Sequence, residues 1–156
     1  MIQLSERLLA MEESATIAMA KKSRELKTQG KDVISLSLGE PDFHTPEFIK
    51  DAAVQALKDN YTTYTPVPGY DDLRESISRK FLRDNNLSYS KEQIVVSTGA
   101  KQSIANLVLS LINPGDEVII PAPYWVSYLE IVKVAEGVPV VISAGIDKDF
   151  KITGAE

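Results

Sequence analysis

Ile94-Val95-Val96-Ser97-Thr98-Gly99-Ala100-Lys101 decides how this 156-residue chain is read. A short apolar run meets a Thr-Gly-Ala turn. Beyond it Ile104, Leu107, Val108 and Leu111 recur at helical spacing and are expected to face inward, so a buried strand at 94–97 turns into a helix over 100–112. A helix start presents backbone N–H groups with no partner inside the helix, together with the positive end of the helix dipole. Glycine at that turn lets an anion approach the backbone closely. The arrangement suits a phosphate group. A plain tight turn is the other reading of the same residues.

Downstream, Pro114-Gly115-Asp116 turns the chain into a strand over 117–121. Tyr124-Trp125 then opens a helix that runs to about Glu136 and is stopped by Gly137, and a strand follows over 138–143. The run from Ile94 to Ser143 therefore alternates strand, helix, strand, helix, strand. That pattern predicts an α/β fold: a largely parallel sheet, with helices on its faces and right-handed crossovers.

Upstream, Ser14 caps a helix over 14–29 that Gly30 ends, and Val33-Ile34-Ser35-Leu36 reads as a short strand. Thr45-Pro46 caps and starts the next helix, with proline suited to the first helical position. Phe48, Ile49, Ala52, Ala53, Ala56 and Leu57 form its apolar stripe. After an aromatic, proline-broken loop over 60–70, Leu73, Ile77 and Phe81 share one face of a helix from about Asp71 to Asp84. The acids Asp71 and Asp72 complement its dipole. Three parallel strands would leave a sheet edge open, and residues 143–156 carry no clear closing element. The chain is therefore expected to be part of a larger domain.

Composition narrows the function classes. Apolar residues make up 44% and charged residues 25%, which is enough for a packed core in a water-facing protein. The net charge is −5 and no basic cluster occurs, so no nucleic-acid partner is expected. No apolar stretch approaches the roughly 20 residues of a membrane span, and residues 1–7 do not read as a secretory leader. There is no cysteine, which fits a cytoplasmic location, and His44 is the one histidine. A His-based triad, a thiolate metal site or a multi-histidine metal site is thereby excluded. His44 itself reads as a loop surface residue with no assignable role.

Three further motifs flank the turn. Gly39-Glu40-Pro41-Asp42 punctuates the chain as a turn. In Thr63-Tyr64-Thr65-Pro66-Val67-Pro68-Gly69, Tyr64 is either a hydroxyl pre-positioned by a proline-stiffened loop or an exposed loop aromatic. Pro123-Tyr124-Trp125 and Tyr128 gather aromatics at a strand's carboxyl end, where open α/β sheets bind ligands. A buried aromatic cluster is the alternative there.

In order and spacing, these motifs make the chain resemble the class I/II pyridoxal-phosphate aminotransferases of fold type I. They are Ser14-Ala15-Thr16, Gly39-Glu40-Pro41-Asp42, Tyr64-x-Pro66-x-x-Gly69, Leu73-Arg74, Gly99-Ala100-Lys101-Gln102, Asn113-Pro114-Gly115-Asp116 and Pro123-Tyr124-Trp125. The likeness runs from about Leu4 to Gly154 and is nearest to the bacterial aspartate or aspartate/prephenate branch. It implies an incomplete fold: an N-terminal arm and small-domain segment over 1–45, and the start of the large cofactor-binding domain over 46–156.

The resemblance also implies roles. Gly99, Ala100 and Lys101 would hold the phosphate of pyridoxal 5'-phosphate through backbone amides, with Trp125 stacked on its ring. Tyr64 would reach the phosphate of the partner subunit in a homodimer, and the backbone of Gly39 would meet the substrate carboxylate. Lys101 with the hydroxyls of Ser14 and Thr16 would suit the distal carboxylate of aspartate, since a cation and two hydroxyls match its acceptor oxygens. A solvated lysine contributing its amide alone is the other reading of Lys101. No catalytic residue is expected in this chain, because the Schiff-base lysine of the family would lie beyond Glu156. The parent would move an amino group between an amino acid, aspartate foremost, and a 2-oxo acid. Aromatic, alanine or prephenate specificity, or a non-catalytic α/β binding module, are the alternatives.

Overall fold

The computed structural model describes residues 3–155. The chain forms two compact units: residues up to Gly39 together with those from Lys101 onward, and Glu40–Ala100.

In the first unit a short helix, α1 (Glu6–Leu9), precedes α2 (Ala15–Thr28). Ser14 occupies the N-cap position of α2 without a side-chain hydrogen bond. After Gly39 and the second unit, the chain re-enters along α5 (Ala100–Leu111) and builds β1 (Glu117–Ala122), α6 (Ser127–Val134) and β2 (Val138–Ser143). β1 and β2 pair in parallel, Glu117 opposite Val138 through Ala122 opposite Ser143. Along β1 the inward positions Val118 and Ile120 alternate with the exposed Glu117, Ile119 and Pro121, as a pleated strand with one covered face requires. Ile120, Val132, Ala135 and Ala144 form the buried core, with Val132 at 2% exposure.

The turn that ends α6 differs from the expected one. Glu136, not Gly137, takes the left-handed conformation (φ 62°), and Gly137 N–H donates to the Val132 carbonyl at 3.0 Å. Gly137 is needed for closeness: a Cβ there would stand 2.8 Å from Ile112 Cγ2 and 3.2 Å from the Asp116 carbonyl oxygen.

In the second unit α3 (Glu47–Lys58) leads through the 60–70 loop to α4 (Asp71–Asn85), and a 3-10 turn follows at Lys91–Gln93. Pro46 sits at the N-cap of α3, one place ahead of the helix. The joins here are polar. Arg74 donates to the Lys91 carbonyl at 3.0 Å and pairs with Asp71, and Lys91 Nζ reaches Asp71 at 2.9 Å and Glu75 at 3.4 Å. The side chain of Arg74 is 11% exposed.

Two expected strands are absent from the described residues. Val96 N–H donates to the Pro68 carbonyl (2.9 Å) rather than to a neighbouring strand, so the sheet has two strands and not three. Residues 33–36 run as coil, with Ile34 85% and Leu36 90% exposed. β-propensity describes a fit to a sheet surface and makes no strand without a partner to accept its hydrogen bonds. α6 also begins later than expected, at Ser127, leaving Tyr124 and Trp125 on the loop before it. The predicted apolar stripes are little covered. Phe48, Ile49 and Leu57 on α3 and Leu107 and Leu111 on α5 stay exposed, whereas Ile104 and Val108 turn partly inward.

Candidate cofactor and substrate site

The turn expected to take a phosphate is built around Gly99. Gly99 adopts φ 93°, a region L side chains rarely enter, and nothing lies within 4 Å of where its Cβ would be. Its N–H donates to the Ser97 carbonyl at 2.8 Å. α5 starts at the next residue, so the positive end of its dipole lies beside the turn. Open space over a glycine and the positive end of a helix dipole are two of the features a phosphate site uses.

Within the first unit, two expected substrate residues border the same cavity. Ser14, half-buried, and Lys101 both line a cavity of about 440 Å³ whose walls are mostly apolar, among them Met11, Leu109, Ile131 and Val134. Thr16, half-buried on α2, is not among its lining residues. The ammonium of Lys101 lies 4.4 Å from the ring centroid of Trp125. Such a cation–π contact contributes about 0.5–1 kcal/mol at an exposed site. Trp125 also meets Tyr128 edge to face, at 5.7 Å and 86°. With 43% of its surface exposed, Trp125 keeps ring area free to stack against a planar ligand.

The chemistry of the cavity includes residues the sequence did not single out. Glu130 accepts from the Glu12 backbone N–H at 3.1 Å and from Lys133 Nζ at 2.9 Å. That hydrogen bond raises the pKa of Lys133, against a smaller opposing effect of burial. Glu130 thus ties the segment after α1 to α6, and Lys101 stands on the same cavity wall. The bond between Glu12 and Glu130 joins residues far apart in the chain and uses a backbone donor, so no spacing announces it.

The remaining expected residues stand apart from these contacts. Tyr64 is fully exposed on the 60–70 loop of the second unit (105%). Gly39 lies exposed in coil with nothing within 4 Å of a would-be Cβ. His44 is exposed in the loop ahead of α3. Among the described residues no group of three or more acids or histidines is placed to hold a metal ion, and no helix is long and apolar enough to cross a membrane.

β1, α6 and β2 make a parallel β-α-β unit, the repeating element of α/β folds. The chain belongs to the family described as Aminotransferase class I and II, whose sequence pattern it matches over residues 31–155. It is 52% identical over 151 residues to a probable aspartate/prephenate aminotransferase of Rickettsia bellii, a match covering 97% of this chain and 38% of that protein. It is also 52% identical over 152 residues to the aspartate/prephenate aminotransferase of Nitrosomonas europaea, again covering 97% and 38%. Among solved structures it is similar to the aspartate aminotransferase of Thermus thermophilus with maleate. The TM-score there is 0.93 at 45% identity, over 98% of this chain and 40% of that one. The fold is thus the α/β fold of these aminotransferases, fold type I, and the chain spans about 38% of the length of the curated relatives it matches.

Proposed function

We propose that the full-length parent is a pyridoxal-phosphate-dependent aminotransferase, exchanging an amino group between aspartate and a 2-oxo acid. The observation that carries the reading is local. Lys101 sits at the first turn after the open Gly99 turn, with its ammonium over Trp125 and its side chain on the cavity it shares with Ser14. In this reading the amides at Ala100 and Lys101, with that of Gly99 once it leaves the Ser97 carbonyl, hold the phosphate, and Trp125 stacks on the ring. When bound, the cofactor supplies the electron sink for amino-group transfer. The chain's own side chains bind and orient. Lys101 and Ser14, with Thr16 nearby in sequence, take the distal carboxylate; the Gly39 backbone takes the other; Tyr64 serves the phosphate of a second subunit in a homodimer. The covalent lysine would come from sequence after Glu156, so residues 1–156 alone would bind and position without transaminating. A division into an arm and small-domain segment (1–45) and a cofactor domain (46–156), in the cytoplasm, completes the reading.

The relative solved with maleate, a dicarboxylate, supports a substrate with two carboxylates. The apolar cavity walls and the names of the curated relatives favour a second substrate, prephenate, which carries a ring. In the full-length enzyme, Lys101→Ser should lower kcat/KM for aspartate by about 10- to 100-fold, as expected for losing a charge-assisted hydrogen bond. Turnover of an aromatic donor should change far less. An unchanged kcat/KM for aspartate would reject the role of Lys101.

A further inference from the structure

The second unit carries a contact that the proposed roles do not use. Gly69, at φ 98°, packs so tightly on Val96 that a Cβ would stand 2.7 Å from Cγ2 and 2.9 Å from Cβ of Val96. Beside it, Val96 N–H donates to the Pro68 carbonyl at 2.9 Å, and Gly69 N–H closes the turn onto the Pro66 carbonyl at 2.9 Å. The base of the same loop is closed by Tyr61 against Tyr70, edge to face at 5.5 Å. Tyr64 stands between these two fastenings. On the other side, Val96 is three residues from Gly99 along an extended segment. Arg74 holds the beginning of that segment through the Lys91 carbonyl. The loop bearing Tyr64 and the segment feeding the phosphate turn are thus fastened at Val96 by one hydrogen bond and one close packing contact. A side chain at residue 69 would force the two apart.

We propose that Gly69 is a positioning residue that joins the Tyr64 loop to the Gly99 turn through Val96, so that the two order together. The inference rests on the reading of Gly99 and Tyr64 given above. Its consequence is coupling between sites. A ligand that orders the turn of one protomer also orders the tyrosine which that protomer lends to its neighbour. Such coupling is reciprocal and needs no change of mean structure.

Amide hydrogen exchange on the full-length protein, with and without saturating pyridoxal phosphate, reads this directly. Binding should slow exchange over 97–100 and over 62–70 together, each by about tenfold. Val96→Ala removes both Cγ methyls and leaves the backbone bond available. It should keep the protection at 97–100 and lose that at 62–70. Gly69→Ala should do the same with a larger loss. If its circular dichroism shows misfolding, Val96→Ala carries the test. Protection of 62–70 that is missing in the unaltered protein, or that survives Val96→Ala, overturns the coupling and leaves the phosphate site standing. Missing protection at 97–100 rejects the phosphate site instead. The coupling is then read without ligand: Val96→Ala must speed exchange in both segments, and a change confined to one of them overturns it.

Discussion

The two units are held together by different means. Around β1, α6 and β2 the joins are apolar: Ile120, Val132, Ala135 and Ala144 close over a six-residue parallel ladder. Between Glu40 and Ala100 the one buried apolar residue is Ile94. The joins there are polar, running from Arg74 and Lys91 to Asp71, Glu75 and the Lys91 carbonyl. An apolar join has no group to titrate, whereas exposed ion pairs weaken with added salt and with acid that protonates their carboxylates. The first unit resembles a scaffold and the second a clasp.

The sharpest way to break the contrast is to empty the scaffold. Ile120→Ala should lower the stability of the β1–α6–β2 unit by about 2–5 kcal/mol, the range for deleting a buried aliphatic side chain. Trp125, the single tryptophan, lies in that unit, so its fluorescence in urea reads the loss.

The corresponding cut in the clasp should matter less. Arg74→Met removes the donor to the Lys91 carbonyl, but it also removes a buried Nε that has no hydrogen-bond partner. The two effects oppose. A net loss of about 1 kcal/mol is expected, read as faster amide exchange over 86–94.

Acid should produce the smallest effect, and in the second unit. Asp71 is held below its ordinary carboxylate value by the hydrogen bond from Lys91 first and from Arg74 second. Asp84 is held down to about 2, chiefly by the hydrogen bond from Arg83. A carboxylate with a depressed folded pKa contributes stability that is complete above its unfolded value and lost as pH falls through the folded one. For Asp84 that window runs from 3.8 to about 2. Exchange in α4 should quicken across it while β1 and β2 do not respond, and Asp84→Asn should remove part of the slope. Both groups face solvent, which keeps the effect small.

The same contrast explains what the sequence disclosed. α4 was legible because Leu73, Ile77 and Phe81 recur within a single helix, and helical hydrogen bonds are local. β1 and β2 were legible because each has the other as a partner. Ile94–Ser97 carries the same kind of residues, but its Val96 donor is taken by Pro68, and composition does not report a partner. Of the candidate site, the Gly99 turn could be read directly from residue types. Residue types also marked Ser14, Lys101 and Trp125, but that Ser14 and Lys101 line one cavity, with Lys101 over Trp125, depends on tertiary placement that residue types do not report. The bond from the Glu12 backbone N–H to Glu130 uses a main-chain donor and leaves no trace in the sequence.

The coil at Val33-Ile34-Ser35-Leu36-Ser37-Leu38 has a practical consequence. These six residues carry no charge and no proline, they favour extended backbone, and Ile34, Leu36 and Leu38 face water. Such a segment pairs readily with its own copy in another molecule. For residues 1–156 handled alone, colloidal behaviour rather than unfolding would set the usable concentration. A charged residue at position 36 is the simplest gatekeeper for keeping such a sample monodisperse.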